Sequence, residues 1–486
     1  MNRSGSDRQT LIIGAGLAGL SAAYHLKTSY ALFEKDSEIG GMARSAQKDG
    51  YIFDYDGHLL HFRNEYAFNL VSELLNGNMA PHKRNSWIYS KGAFTRYPFQ
   101  ANFYGLPKSV VKDCLMGLIK ARIPFTQPSP HRGLLRNTIF CHSRESGNPE
   151  RFNFNRLIDT RFHGYDGFNL FRNSPLWGEG KGEGDFENWI MKTFGEGIAN
   201  HFMLSYNRKF WTIEPRDMTC EWLDGFVPVP NLEDTVTGAI SDNTKPYGYN
   251  SRFWYPVKGG ISELVRGFSE RVRNIYVNKR AVTIDQYRRE IIFEDSTIKK
   301  FKNLITTIPL PELSMLLVDM PPDVRHAFSM LRWTSIFVLN LGIKSDNLSE
   351  RHWVYYPEED LIFYRVGFPT SFSMDVAPSQ RVSIYAEIAY SDTKKIDKEK
   401  AMPKAIDDLK RCGIISEESD IEVCLPIDIK YGYALYDSNR KHAVQLIKDY
   451  LERFGIYSIG RYGSWKYMSM EDVILEGKAL AEKMLL

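Results

Sequence analysis

Three glycines in the pattern Gly14-x-Gly16-x-x-Gly19 stand between an apolar run and a helix-forming run. Thr10-Leu11-Ile12-Ile13 reads as a buried strand, Leu20 to Lys27 as a helix, and Tyr30-Ala31-Leu32-Phe33 as a second strand. Glycine at this spacing permits a tight turn and a close backbone approach to a pyrophosphate. The N–H groups and partial positive charge of a helix N-terminus then hold that anion. Glu34 closes the second strand, where a carboxylate can accept hydrogen bonds from a ribose hydroxyl. The unit reads as a βαβ dinucleotide site rather than glycine used for packing alone, and NAD and FAD proteins share its fingerprint.

The residues that follow narrow the choice. Gly40-Gly41-Met42-Ala43-Arg44 supplies more free backbone N–H groups and a cation, and the pattern E-x5-GG-x2-R resembles the FAD signature of the flavin amine oxidase superfamily. Phe53-Asp54-Tyr55-Asp56-Gly57-His58 follows where members of that superfamily approach the flavin ring, and Asn303–Pro309 resembles their strand that returns to the cofactor. Gly460-Arg461-Tyr462-Gly463-Ser464-Trp465 precedes a helix that starts around Ser469 and aims its N-terminus at the flavin pyrimidine. The resemblance implies non-covalent FAD held by Gly14, Gly16, Gly19, Glu34, Gly40, Gly41, Arg44, Gly57, Gly460, Arg461, Ser469 and Met470.

Longer stretches sharpen the resemblance. Residues 97–107 (YPFQANFYGLP), 186–211, 253–260 (FWYPVKGG), 363–368 (FYRVGF) and 460–467 (GRYGSWKY) resemble the UDP-galactopyranose mutases, particularly their eukaryotic-type branch. Those enzymes use reduced FAD without net oxidation: flavin N5 attacks the anomeric carbon of a UDP-sugar, UDP leaves, and the sugar recloses with the other ring size. The resemblance implies that His58 lies beneath the flavin and Arg365 holds the diphosphate. It places Tyr355, Tyr433 and Tyr467 around that diphosphate, Tyr97 and Gln100 near the uridine, and Asn250 near the sugar. Taken singly, each tyrosine reads as a core aromatic. One position departs from the family: Phe226 stands where a second diphosphate-clamping arginine is expected, with Arg208 or Lys209 as replacements nearby. Losing a charge-assisted contact to phosphate removes about 1.5–3 kcal/mol.

Composition sets the frame for these elements. The chain has 486 residues, 43% hydrophobic and 25% charged, with a net charge of +3, so it is globular and carries no electrostatic case for a nucleic-acid partner. Five cysteines without C-x-x-C spacing read as thiols in a reducing compartment, and His58 with His61 lacks a third ligand, so no metal site is expected. Neither a signal peptide nor an integral membrane segment is read from the sequence, which makes the expected location cytoplasmic.

The expected fold class is α/β: a discontinuous Rossmann-like FAD-binding domain (1–65, 261–320 and 440–486), a helical substrate domain (66–230), and an antiparallel β substrate domain (231–260 and 321–439). Residues 124–184, with SRESGNPE and SPLWGEGKGEG, resemble peptides translated from bacterial repetitive elements and read as a disordered, dispensable insertion rather than a substrate lid. Three functions are compatible. The first is a sugar-nucleotide mutase-like flavoenzyme, with an external reductant such as NAD(P)H. The second is a redox oxidoreductase of the amine oxidase or protoporphyrinogen oxidase type. The third is a flavin binder without catalysis.

Overall fold

The computed structural model describes residues 10–122, 185–223, 226–345 and 349–485, so the expected insertion lies outside the described residues. The strand Thr10–Ile13 is buried along its whole length, as a central parallel strand covered on both faces must be. It sits in a five-stranded parallel sheet in the order Ile456–Ser458, Asn303–Thr306, Thr10–Ile13, Tyr30–Phe33, Ile275–Tyr276. The helices Leu17–His25, Glu65–Leu74, Ser262–Ser269 and Met470–Lys483 share one apolar core with this sheet, built on Ile12, Leu20, Leu264 and Ile474. Leu11, Leu304 and Ile456 face a second core beneath the helices Pro322–Ser329 and Arg440–Glu452.

A seven-stranded sheet forms the other architectural layer. Its order is Ile421–Ala434, Trp333–Lys344, Arg381–Tyr390, Arg365–Gly367, Trp353–Tyr355, Ser86–Ser90, Ala93–Arg96. Neighbours run antiparallel except Trp353–Tyr355 with Ser86–Ser90. Both long central strands are buried almost throughout, because helices and the hairpin of short strands cover them.

Two stretches differ from the sequence expectation. Ser86–Ser90 and Ala93–Arg96, in a stretch read as helix-rich, form a hairpin, and alternate burial along SWIYS explains why. Leu232–Ile240, in a stretch read as β, is a helix. Asn231 caps it by accepting from the Asp234 N–H, and Thr235 Oγ1 donates to the Gln100 carbonyl at 3.1 Å.

The helices Lys108–Arg122 and Phe186–Ile198 pack antiparallel, with Gly117 and Gly197 in backbone contact where any Cβ would collide. Residues 122 and 186 therefore sit at the same end of the pair. Replacing residues 124–184 by a short Gly/Ser linker is expected to leave a folded, FAD-loaded protein, since each doubling of a loop's length changes its closure cost by only about 0.6 kcal/mol. Size-exclusion chromatography and the flavin spectrum check this; aggregation or a colourless product counts against it.

Candidate functional site

The glycine turn meets the second parallel neighbour at its C-terminal end. Gly14 has φ of 95°, in the left-handed region, and a Cβ there would collide with Thr307 Oγ1. Gly16 and Gly41 face each other backbone to backbone, so both glycine motifs form one cradle. Gly16 is the N-cap of Leu17–His25 and gives it no side-chain cap, leaving the helix N–H groups to a ligand. The Glu34 carboxylate accepts from the Ala15 N–H at 2.8 Å and the Asp36 N–H at 3.1 Å, which fixes it beside the turn. Arg44 Nε donates to the Gly41 carbonyl at 2.9 Å and the guanidinium lies over Tyr55.

This cradle opens into a cavity of about 950 Å³. Gly14, Gly16, Glu34, Gly40, Gly41, Arg44, Gly57, His58, Gly460, Arg461, Ser469 and Met470 all line it. Gly19 does not; it lies behind the turn, where a Cβ would collide with the Gly14 carbonyl. Ser469 caps the Met470–Lys483 helix in a reciprocal box with Asp472, so its hydroxyl is already engaged. The backbone cradle, the fixed carboxylate and the uncapped helix fit a dinucleotide cofactor.

Past His58 the same cavity is walled by Asn250, Tyr355, Arg365, Tyr433 and Tyr467. Tyr433 and Tyr467 stack at 5.7 Å, and the Arg461 guanidinium lies over both rings. Burial pushes both phenols up, so they remain hydrogen-bond donors at neutral pH. Tyr97 stands one layer behind, 5.0 Å from Tyr355 and beneath the Arg84 guanidinium at 4.6 Å. Arg84 also donates to Asn250 Oδ1 and to the Tyr247 carbonyl. His58 holds its own loop, its ring Nδ1 lying 3.1 Å from the Asp56 carbonyl.

Gln100, Arg208 and Lys209, singled out in the sequence, are not among the residues lining the cavity. Gln100 is off the cavity wall: its Nε2 donates to the Pro228 carbonyl at 2.8 Å, bracing the chain after Phe226. Neither replacement cation reaches the cavity. Arg208 pairs with Glu214 and Glu359. Buried Lys209 donates to the carbonyls of Tyr356 and Glu358, and burial pulls its ammonium down to about 7. Phe226 backs the cavity wall, with its ring edge-on to the lining residues Tyr467 at 4.7 Å and Tyr249 at 5.2 Å.

Sequence reasoning also missed groups. Arg365 is clamped by Glu387, which is fully buried, and approaches Asp56 at 3.5 Å. A glutamate inside the apolar run Val382–Ala389 was the available signal. His61 lines the cavity as well; burial pulls its imidazole down to about 4, with Arg84 and Arg63 adding to the effect. It is therefore neutral at physiological pH.

A fold with a glycine-cradled parallel sheet, an antiparallel second sheet and one long cavity between them defines a dinucleotide-dependent enzyme. The chain belongs to the family of flavin containing amine oxidoreductases, which matches residues 17–485, and its cofactor is FAD. The crystal structure of reduced UDP-galactopyranose mutase is similar over 98% of this chain and 94% of that one, with a TM-score of 0.82 and 22% identity. Two curated relatives match locally. 4,4'-Diapolycopene oxygenase of Methylomonas sp is 42% identical over 94 residues, 17% of this chain. Protoporphyrinogen oxidase 2 of Arabidopsis thaliana (chloroplastic/mitochondrial) is 40% identical over 72 residues, 14% of this chain. The chain spans only 18% and 14% of those two proteins. Among the described residues no helix is long and apolar enough to cross a membrane.

Gly14→Ala is expected to release the cofactor. The substitution forces a Cβ into the left-handed region and against Thr307, and FAD affinity should fall at least about tenfold, or ~1.4 kcal/mol. The ratio of flavin to protein absorbance after purification measures this, and a fully yellow variant would exclude a tight turn at Gly14.

Proposed function

We propose that this flavoenzyme is a sugar-nucleotide mutase or close relative, acting on UDP-galactopyranose, its furanose isomer or a related UDP-sugar. One observation carries the reading: the cavity that begins at the glycine cradle ends in a guanidinium and phenols, Arg365 with Tyr355, Tyr433 and Tyr467. Cations and phenol donors suit a diphosphate. Reduced FAD, when bound, supplies the nucleophilic nitrogen that such an isomerisation uses.

In this reading the chain's own residues bind and orient. Arg365 takes the diphosphate as a leaving group and keeps it near the anomeric carbon for return. Tyr355, Tyr433 and Tyr467 donate to its oxygens. Asn250, braced by Arg84, faces the sugar. His58 stands in a loop that lines the cavity, where it would face a bound flavin, and the ring layer of Tyr97 and Tyr206 against Tyr355 keeps water from that wall.

A second reading, a redox oxidoreductase of the amine oxidase or protoporphyrinogen oxidase type, draws on Phe226. An apolar ring packed against Tyr467 and Tyr249 suits a less charged substrate.

Dithionite-reduced protein is expected to interconvert UDP-galactopyranose and UDP-galactofuranose, and oxidised protein is not. Arg365→Ala would leave both buried oxygens of Glu387 without their donor, so Arg365→Lys is the sounder probe. It should retain FAD and weaken UDP-sugar binding about tenfold or more. Phe226→Arg should strengthen that binding by a similar factor, about tenfold. Chromatography of the sugar nucleotides and flavin-absorbance titration provide the readouts. Absence of turnover together with oxygen consumption on an amine or porphyrinogen would favour the second reading.

A further inference from the structure

The wall that carries Arg365 holds its own counter-charges. Arg365 Nε and Nη2 donate to the two oxygens of Glu387, each at 2.6 Å, and Nη2 also approaches Asp56 Oδ1 at 3.5 Å. Arg365 and Glu387 are cross-strand partners in register, and Glu387 is fully buried. Asp56 lines the cavity while Glu387 lies behind it. Their carboxyl groups lie within hydrogen-bonding reach of each other, and the Gly57 N–H donates to Asp56 Oδ1 at 2.7 Å.

Two carboxyl groups this close, sharing one guanidinium, do not both stay ionised in a buried setting. Burial, reinforced by Asp56, drives the Glu387 carboxyl well up against the pull of Arg365. Burial would also raise Asp56, but the hydrogen bond from Glu387 and the charges of Arg365 and His58 bring it down to about 2. The pair therefore holds one proton, and its single negative charge cancels that of Arg365. A diphosphate arriving at Arg365 meets a neutralised cation and the Asp56 carboxylate.

We propose that Asp56 and Glu387 form a proton-sharing pair that gates anion binding at Arg365, so that a diphosphate binds there by drawing a second proton into the pair. This rests on the reading of Arg365 as a diphosphate site. The proton enters from solvent, lands on Asp56, and leaves when the ligand does. No other bond changes. The other charged or titratable groups facing the pair are His58 from the same loop, Tyr364 beside Arg365, Tyr385 on the strand of Glu387, Tyr433 from the long edge strand, Tyr206 from the helix Leu204–Trp211, and Arg461, Tyr462 and Tyr467. Burial raises all six phenols above their ordinary range, so they stay neutral. His58 is a second basic group beside the pair, and the test must separate the two.

Oxidised, FAD-loaded full-length protein is titrated with UDP-galactopyranose from pH 5.5 to 8.5, followed by flavin absorbance. Its diphosphate is a diester and does not itself titrate in that range. Uptake of one proton makes affinity fall as pH rises, by up to about tenfold per pH unit, until the pH passes the raised pKa that the pair acquires with ligand bound. Calorimetry in phosphate and in Tris at pH 7.5 should register the same uptake as a difference in apparent enthalpy. Asp56→Asn should bind more tightly at pH 8, by about tenfold or more, with a flattened pH dependence. Glu387→Gln, which keeps the shape of the contact, should flatten it too and serves if Asp56→Asn does not fold. Affinity independent of pH in the wild type, or a slope retained in both variants and thus belonging to neither carboxyl, overturns the proposal while leaving the diphosphate site standing. Binding that is absent, or indifferent to Arg365→Lys, overturns the site itself and the gate with it.

Discussion

The guanidinium of Arg365, held by Glu387 inside the seven-stranded sheet, is the charge around which the substrate side of the molecule is arranged. A buried charge needs a partner, and removing one partner of such a pair costs about 3–5 kcal/mol. The sheet meets that demand by register: the strands Arg365–Gly367 and Arg381–Tyr390 place both residues opposite each other. Tyr385, two residues before Glu387, has its ring against Gly367 and its hydroxyl against Gly57. The loop that carries Asp56, Gly57 and His58 is thereby set against the same pair. A shift of one residue in that pairing would turn the guanidinium to the opposite face.

The two layers contribute different things to the cavity. The parallel sheet offers backbone: glycine turns, an uncapped helix and one carboxylate fixed by two N–H groups. The antiparallel sheet and the helix Leu204–Trp211 offer side chains. Tyr206 and Phe210 of that helix pack against Tyr355, Tyr364 and Tyr433 and so hold the rings that wall the site. Cofactor recognition thus depends on local chain geometry, and substrate recognition on contacts between distant segments.

That division explains what could be read from the sequence. Gly14, Gly16, Glu34, Gly40 and Gly41 were legible because a turn and a strand end lie within about thirty residues and depend on residue type alone. The helix beginning at Met470 was legible for the same reason, with Ser469 and Asp472 spaced as a capping box. Glu387 was not legible as a partner of Arg365, since only the pairing of two strands joins them. Gln100 was misplaced because its neighbour across space, Pro228, cannot be inferred from spacing. Arg208 and Lys209 looked available as cations until the fold gave them Glu214, Glu359 and two carbonyls. The hairpin at Ser86–Arg96 was short enough that its alternation was masked by flanking helices.

The order of strands in the parallel sheet carries a consequence for how the protein comes to exist. Thr10–Ile13 pairs with Asn303–Thr306, and that strand with Ile456–Ser458, so these neighbours are separated by 293 and 152 residues along the chain. Contacts of such long range close slowly, because the chain entropy of bringing them together is lost before they stabilise anything. During synthesis the glycine turn emerges before Asn303–Thr306 and Ile456–Ser458 and waits for both. A cofactor that binds the assembled cradle and not the open chain draws the protein into its compact state by mass action.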